Sequence, residues 1–323
     1  MPSPTRCLTA GDALSFVRDR AVHRPTSRPR IGLELEWLTH HRHDRRRRVT
    51  PGDLAAVVDA LDGHLPCGGR LSIEPGGQIE LSSPPCASAA AAIDAARADA
   101  AVLTAALGRH DIGLEAAGVD RDRPPQRVVD APRYRAMEAY FDALGAEGRT
   151  MMCNSAALQI NIDVDGDARE AWRAANAAAA VLASTFNAAS PNRADLWHRI
   201  DRTRTAPVDS DDPATGWAEY ALRARVMFVR VSPTACVPVL DGTTFVEWIE
   251  RGHELGWPTE DDLAEHLTTL FPPVRPRGWL EIRTVDALPD ACWPRAVELA
   301  AALVLDGPQR RAFLDSGEVP TCN

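Results

Sequence analysis

The 323-residue chain contains no lysine, and all 36 of its basic residues are arginine. That absence removes three large enzyme classes. A P-loop uses a lysine on the β- and γ-phosphates, a protein kinase uses a strand lysine, and a pyridoxal-phosphate enzyme needs a lysine Schiff base. If this chain handles phosphate, arginines and metal ions must do it. No apolar run is long enough to cross a bilayer. The stretch MPSPTRCLTAGDALSF lacks the basic and then apolar order of an export signal. The seven cysteines (Cys7, Cys67, Cys86, Cys153, Cys236, Cys292 and Cys322) are scattered and include no C-x-x-C pair. They read as reduced thiols of a cytoplasmic protein, not as a disulfide frame or zinc site. Net charge is −9, and the basic run RHDRRRR at 42–48 is a short solvated turn. Nucleic acid would need a broad basic face, so no nucleic-acid or membrane partner is expected.

What is present is the make-up of an ordinary globular chain, 45% hydrophobic and 25% charged, with no internal repeat and no long linker. Helices are predicted over 9–23 with Thr9 as N-cap, 51–62 with Pro51 in the first turn, 88–107 capped by Ser88, 132–144 and 168–188. Further helices are predicted for TFVEWIERG, TEDDLAEHLTTLF and 293–305. RIGLELEWL, RLSIE, QIELSS, AALQINIDV, VMFVRVS and GWLEIRTV read as strands. Between RLSIE and QIELSS, a three-residue loop sets Ile73 against Ile79 and Ser72 against Glu80. A two-residue loop would mix apolar and charged residues on one face.

Strand periodicity then gathers acids. In RIGLELEW, Ile31, Leu33, Leu35 and Trp37 share one face, and Gly32, Glu34 and Glu36 share the other. Two glutamates roughly 7 Å apart on one face repel unless something positive lies between them. Glu74 and Glu80 lie on the hairpin, and Glu281 and Arg283 on GWLEIRTV. Each alone reads equally as a solvated glutamate on the wet face of an antiparallel sheet. Together, on faces poor in threonine and glutamine, they suit Mg²⁺, which takes oxygen ligands from a few carboxylates and shares them with substrate phosphates.

RIGLELEW, SIEPGGQIEL, PRYRAM, GRTMMCNSAALQINID, DLWHRIDRTRT, WAEYAL, TFVEWIERG and HLTTLFPPVRPRGWLEIRTVDALP occur here in the order found in plant-type glutamate–cysteine ligases. From about residue 9 to 305 the chain resembles that family, and most of all its bacterial branch that feeds ergothioneine synthesis. The resemblance implies an α+β fold of glutamine-synthetase type, a curved antiparallel sheet forming a funnel with helices packed outside. It implies one catalytic domain over 1–323, without the helices that follow in relatives. The implied reaction uses ATP to phosphorylate the γ-carboxylate of glutamate, and the amine of cysteine then attacks the acyl phosphate.

By that resemblance Glu34, Glu36, Glu74, Glu80 and Glu281 fall on the metal positions for two or more Mg²⁺ ions. Arg283 is the expected holder of the transferred phosphoryl group, with a salt bridge to Glu281 as the alternative. Gln159 and Asn161 are expected at substrate or nucleotide, and Arg133, Tyr134 and Arg204 at the glutamate α-carboxylate. Arg275 and Arg277 either face ATP phosphates or cap the preceding loop. Cys153 needs no nucleophilic role, and Trp217, Tyr220 and Trp248 read as core or pocket wall. Three departures stand out: NAASP runs almost directly into NRADLW, Arg223 replaces a customary aspartate, and the chain stops at TCN. They motivate two alternatives, a ligase for another amine and a catalytically impaired paralogue.

Overall fold

The computed structural model describes residues 8–22, 27–164, 166–188 and 192–319. Thr9 caps α1 (Ala10–Ala21) in a capping box with Asp12, and β1 (Ile31–His41) follows. Thr50 caps α2 (Pro51–Leu61), and the hairpin β2 (Arg70–Ile73) and β3 (Ile79–Ser82) leads to α3 (Ala89–Gly108), capped by Ser88. Next come β4 (Ile112–Glu115), α4 (Pro132–Leu144), α5 (Glu147–Asn154), β5 (Ala157–Ile162) and α6 (Ala168–Phe186). Three short helices, α7 (Arg193–Trp197), α8 (Arg202–Thr205) and α9 (Pro213–Arg223), precede a ribbon of β6 (Phe228–Ser232) and β7 (Ala235–Pro238). The described chain ends with α10 (Phe245–Arg251), α11 (Glu260–Leu267), β8 (Val274–Pro276), β9 (Leu280–Asp286), α12 (Trp293–Val304) and α13 (Gly307–Ser316).

The architecture is α+β, with one open antiparallel sheet ordered β2-β3-β1-β5-β9-β8 and β4 paired to the far end of β1. The hairpin register is the one that apolar matching predicts, with Ile73 opposite Ile79 and Ser72 opposite Glu80. Its loop needs two glycines. Gly77 has φ +88°, and a Cβ on Gly76 would lie 1.9 Å from the carbonyl oxygen of Cys153.

Ile31, Leu33, Leu35 and Trp37 are all buried on one face, joined by Ile79, Leu81, Leu158, Ile160, Ile282 and Val285. Helices α3, α6 and α12 cover that face. Ile282 and Val285 are three residues apart yet share it, because β9 carries a bulge. Ile160 pairs with Ile282 while Leu158 pairs with Val285, so Arg283 and Thr284 together oppose Gln159. A smaller core of Met137, Tyr140, Phe141, Met152, Met227 and Phe228 joins α4 and α5 to the ribbon.

To the elements predicted from periodicity the structure adds β4, α5, α7, α8, α9, β7, β8 and α13. Most are too short to display a period. Longer α9 and α13 start with capping aspartates, Asp212 and Asp306, followed by Pro213 and Pro308 in the first turn. The predicted strand at 226–232 lies in the separate ribbon, not in the main sheet. The last predicted helix, 293–305, is followed by α13, tied back through Arg310 to Glu170 (2.8 Å) and to the Val304 carbonyl (2.8 Å). Cys7, Cys322 and residues 189–191 of the shortened loop lie outside the described residues.

Candidate active site

The uncovered face of the sheet carries the charges, and register decides who meets whom. Glu36 lies directly opposite Glu80, and Ser72 lies opposite Glu80 on its other side. Glu34 faces Gln159 across β5. Asn161 sits opposite Glu281, which in turn sits opposite Arg275 on β8. Like charges set directly across a strand pair are unfavourable, so the acidic end of this row needs a compensating charge.

At that end the carboxylates have only neutral partners. Glu36 accepts from Gln159 Nε2 (2.8 Å) and the Ala157 amide (2.9 Å). Glu34 accepts from Asn161 Nδ2 (3.2 Å), and Glu80 from the hydroxyls of Ser72 and Ser82 (3.2 Å each). Burial, then the neighbouring carboxylates Glu281 and Glu80, push the Glu34 carboxyl up to about 7. Burial, then Glu80 and Glu36, push Glu74 up to about 8. Glu36 and Glu80 are raised mainly by burial; Arg193 and Arg283 pull Glu36 back in part.

The other end is the reverse. Glu281 is fully buried and bound by three arginines: Arg275 through Nε (2.5 Å) and Nη2 (3.1 Å), Arg277 (3.2 Å) and Arg283 (3.1 Å). Burial alone would raise its pKa, but these cations hold it well below the usual carboxylate range. Arg283 spans the two ends. It binds Glu281 and donates to Gln159 Oε1, while its buried Nε has no partner among the described residues. The salt bridge with Glu281 that stood as the alternative is therefore present, and the phosphoryl-facing role rests on what remains of this guanidinium.

Two expectations for arginines meet a structural obstacle. Arg275 spends Nε and Nη2 on Glu281 and Nη1 on the Leu270 carbonyl (3.1 Å), so it caps the preceding loop instead of facing ATP phosphates. Arg204 is wholly buried away from the carboxylates, bonded to Asp201 (3.0 Å), the Thr269 carbonyl and hydroxyl (2.8 and 3.0 Å) and the Arg225 carbonyl (2.6 Å). No edge is left for a substrate carboxylate. Arg204→Met is expected to destabilise the protein by about 3–5 kcal/mol in denaturant titration, because Asp201 would stay buried without its cation.

Arg277 is half exposed, lies over the Trp279 ring and keeps donors free toward solvent. Arg133 stands near Glu74, lowering its pKa, and its buried Nε lacks a partner among the described residues. The Tyr134 hydroxyl is raised by burial and then by Glu74. Cys153 is buried, which pushes its thiol up to about 12 and removes any nucleophilic character at neutral pH. Trp217 and Trp248 are core residues, and Tyr220 stacks on Trp217. Arg223 pairs with Glu219 on the exposed side of α9, so its reversed charge lies at the surface.

Sequence reasoning missed Arg193. Asn192 caps α7 and forms a capping box with Asp195, which starts the helix at Arg193 and turns it inward. Its Nη1 donates to the Val285 carbonyl (3.1 Å), and Asp286 lies 3.9 Å away. Only its position after a capping asparagine could have drawn attention to it. Trp279, which donates to Asn161 Oδ1 (2.7 Å), was likewise unassigned.

Among the described residues no three His, Cys, Asp or Glu side chains are drawn together as a metal-holding group. The donor chemistry nonetheless fits a hard divalent cation. Glu34, Glu36, Glu74 and Glu80 are all-oxygen donors, part-buried and held against their own repulsion. Glu281 fits less well, since arginines already neutralise it.

The molecule is thus an α+β protein with a row of part-buried carboxylates, bordered by arginines, on one face of an antiparallel sheet. The sequence profile of glutamate–cysteine ligase family 2 matches residues 30–321. The chain is 42% identical over 300 residues to glutamate–cysteine ligase EgtA of Mycolicibacterium smegmatis, covering 86% of this chain and 70% of that protein. To EgtA of Mycobacterium tuberculosis it is 39% identical over 301 residues, covering 86% and 69%. The chloroplastic glutamate–cysteine ligase of Arabidopsis thaliana is 30% identical over 330 residues, covering 90% of this chain and 60% of the relative. This chain belongs to glutamate–cysteine ligase family 2. No described helix is long and apolar enough to cross a membrane.

Proposed function

We propose that the protein joins the γ-carboxyl of L-glutamate to the amine of L-cysteine at the expense of ATP, giving γ-glutamylcysteine, ADP and phosphate. The observation that carries the reading is the sheet row itself. Four part-buried carboxylates form no ion pair among the described residues, and Glu36 opposes Glu80, at the side of an arginine that reaches from Glu281 to Gln159. Family membership and the EgtA relatives supply the reaction class, and the resemblance to the ergothioneine branch supplies the route that would use the product. The same reading takes the open sheet as the glutamine-synthetase-type funnel, residues 1–323 as one catalytic domain, and the cytoplasm as its location.

Phosphoryl transfer between anions asks the protein for positioning and charge, with little covalent chemistry of its own. Glu34, Glu36, Glu74 and Glu80 would hold Mg²⁺. When bound, the metal neutralises the phosphate oxygens and the substrate carboxylate and aligns them. Gln159 and Asn161 orient Glu36 and Glu34 with neutral amides that add no charge. Arg283, held at one side by Glu281, offers its guanidinium to the transferring phosphoryl oxygens, and Arg277 is free to meet the nucleotide's outer phosphates. Arg133 and Tyr134, beside Glu74, are left as the groups for the glutamate α-carboxylate. In the second step the amine nitrogen attacks the acyl carbon. A C–N bond forms, the C–O bond to phosphate breaks, phosphate leaves and the amine gives up a proton.

The test uses purified protein with Mg-ATP and glutamate, with amines added one at a time while phosphate release and product mass are followed. Release that requires cysteine and yields γ-glutamylcysteine is the expected result. Release with a different amine would change the acceptor, and nucleotide binding without turnover would refute the ligase reading.

A further inference from the structure

Beside the acidic cleft lies a cavity of about 350 Å³ between α6, α7 and the β9 bulge, and the roles above leave it unused. Its wall is mainly apolar: Ala179, Ala183 and Ala194 with the faces of Trp197 and Pro273. Two cations break that surface, Arg193 and Arg283. Arg193 is 5% exposed, and its Nε has no hydrogen-bond partner among the described residues. Arg283 lines the cavity and also contacts Gln159 and Glu281, so one side chain joins the cavity to the carboxylate row.

We propose that this cavity is the acceptor subsite. Arg193 binds the α-carboxylate of the incoming amino acid, and the alanine face of α6 limits its side chain. The inference rests on the ligase reading above. Size comes first: about 350 Å³ is at the small end of ligand pockets, enough for a small amino acid and too little for a nucleotide. Chemistry comes second. The nucleophile must be a neutral amine, and an apolar wall disfavours the ammonium form. The same wall excludes water, which would otherwise hydrolyse the acyl phosphate. The Arg193 guanidinium, held by Nη1 on the Val285 carbonyl but with Nε unpartnered among the described residues, suits a carboxylate. Placement comes third: Arg283 lines the cavity and also contacts Gln159 and Glu281, so an acceptor in the cavity and a phosphoryl group at the carboxylate row would share one guanidinium.

The experiment compares Ala183→Leu, which fills the cavity, and Arg193→Gln with the wild type, all with Mg-ATP and glutamate. Cysteine, cysteamine (which lacks the carboxylate) and hydroxylamine serve in turn as acceptor. Hydroxylamine is small enough to trap the acyl phosphate as the hydroxamate without needing the subsite. Ala183→Leu is expected to raise KM for cysteine roughly tenfold or more, while KM for glutamate and hydroxamate formation stay close to wild type. Arg193→Gln should lower kcat/KM for cysteine by about ten- to a hundredfold more than for cysteamine, a selectivity that general loosening of the fold would not produce. An unchanged cysteine KM in Ala183→Leu, or a rise in glutamate KM instead, overturns the assignment. So does an Arg193→Gln protein that loses cysteine and cysteamine alike. Should Arg193→Gln fail to fold, Ala183→Leu decides alone. A wild-type protein that forms no hydroxamate would sink the ligase reading itself, a failure distinct from the others.

Discussion

Glu36→Gln is expected to cut ligation at least about 100-fold with the fold intact, whereas Glu281→Gln should lose both activity and stability. Glu36 is part-buried with neutral hydrogen-bond partners and a repelling neighbour, so a neutral amide of the same shape gives up one of two accepted hydrogen bonds but removes the charge repulsion, and the two effects offset. Its Tm should stay within about 4 °C of wild type. Glu281 anchors Arg275 and Arg283, both of which would remain buried without a counter-charge in Glu281→Gln. The cost is about 3–5 kcal/mol, or roughly a 10 °C drop in Tm. The sequence alone treats the two glutamates as equivalent metal ligands whose removal spares the fold; the arginines around Glu281 separate them. Calorimetry and initial rates on both variants decide it. A Glu281→Gln protein that melts like wild type would show that its three arginines do not depend on it.

The second large effect concerns pH and magnesium. Glu34 and Glu74 have folded-state pKa values of about 7 and about 8, raised above the ordinary 4.5 by burial and by neighbouring carboxylates. A carboxyl whose pKa is raised by folding binds its proton more tightly when folded. Stability is therefore highest below the ordinary carboxyl value and falls as pH climbs from about 4.5 to about 7 for Glu34 and about 8 for Glu74, levelling off above that. For Glu34 alone the loss is on the order of 3 kcal/mol. Glu281 acts in the opposite sense, since its pKa is depressed. Its contribution is complete above the unfolded carboxylate range and does not overlap this window. Chelator-treated protein should thus lose Tm between about pH 5 and 8 and level off above that range. Saturating Mg²⁺ should flatten that fall, because the ion binds only the folded, charged cleft; at a hundredfold excess over Kd it adds about 2.7 kcal/mol. Glu74→Gln should shrink the slope in chelator. A Tm that rises over this interval and ignores Mg²⁺ would refute a cation site in the cleft.

The legible part of the fold was whatever repeats locally. Period two in RIGLELEW assigned Leu33 and Leu35 to the core and Glu34 and Glu36 to the other face, and apolar matching chose the hairpin register. Thr9 and Ser88 marked helix starts because a capping hydroxyl acts within three residues. Elements of three to five residues such as β8 and α7 show no period, so Arg275 and Arg193 could be seen only as arginines in loops.

By itself, then, the sequence determined the family, the acidic face of each strand and the exclusion of lysine-based phosphate chemistry. Side-chain alternation, caps and residue type are local properties that survive without a partner strand. Only the tertiary structure decided that Glu281 would be ion-paired with three arginines while Glu34, Glu36, Glu74 and Glu80 form no ion pair among the described residues. That outcome depends on β8 pairing beside β9, on the bulge that turns Arg283 toward Gln159, and on α7 closing over the end of the sheet. Charge balance in a buried site is a sum over neighbours distant in sequence, and no periodicity encodes it.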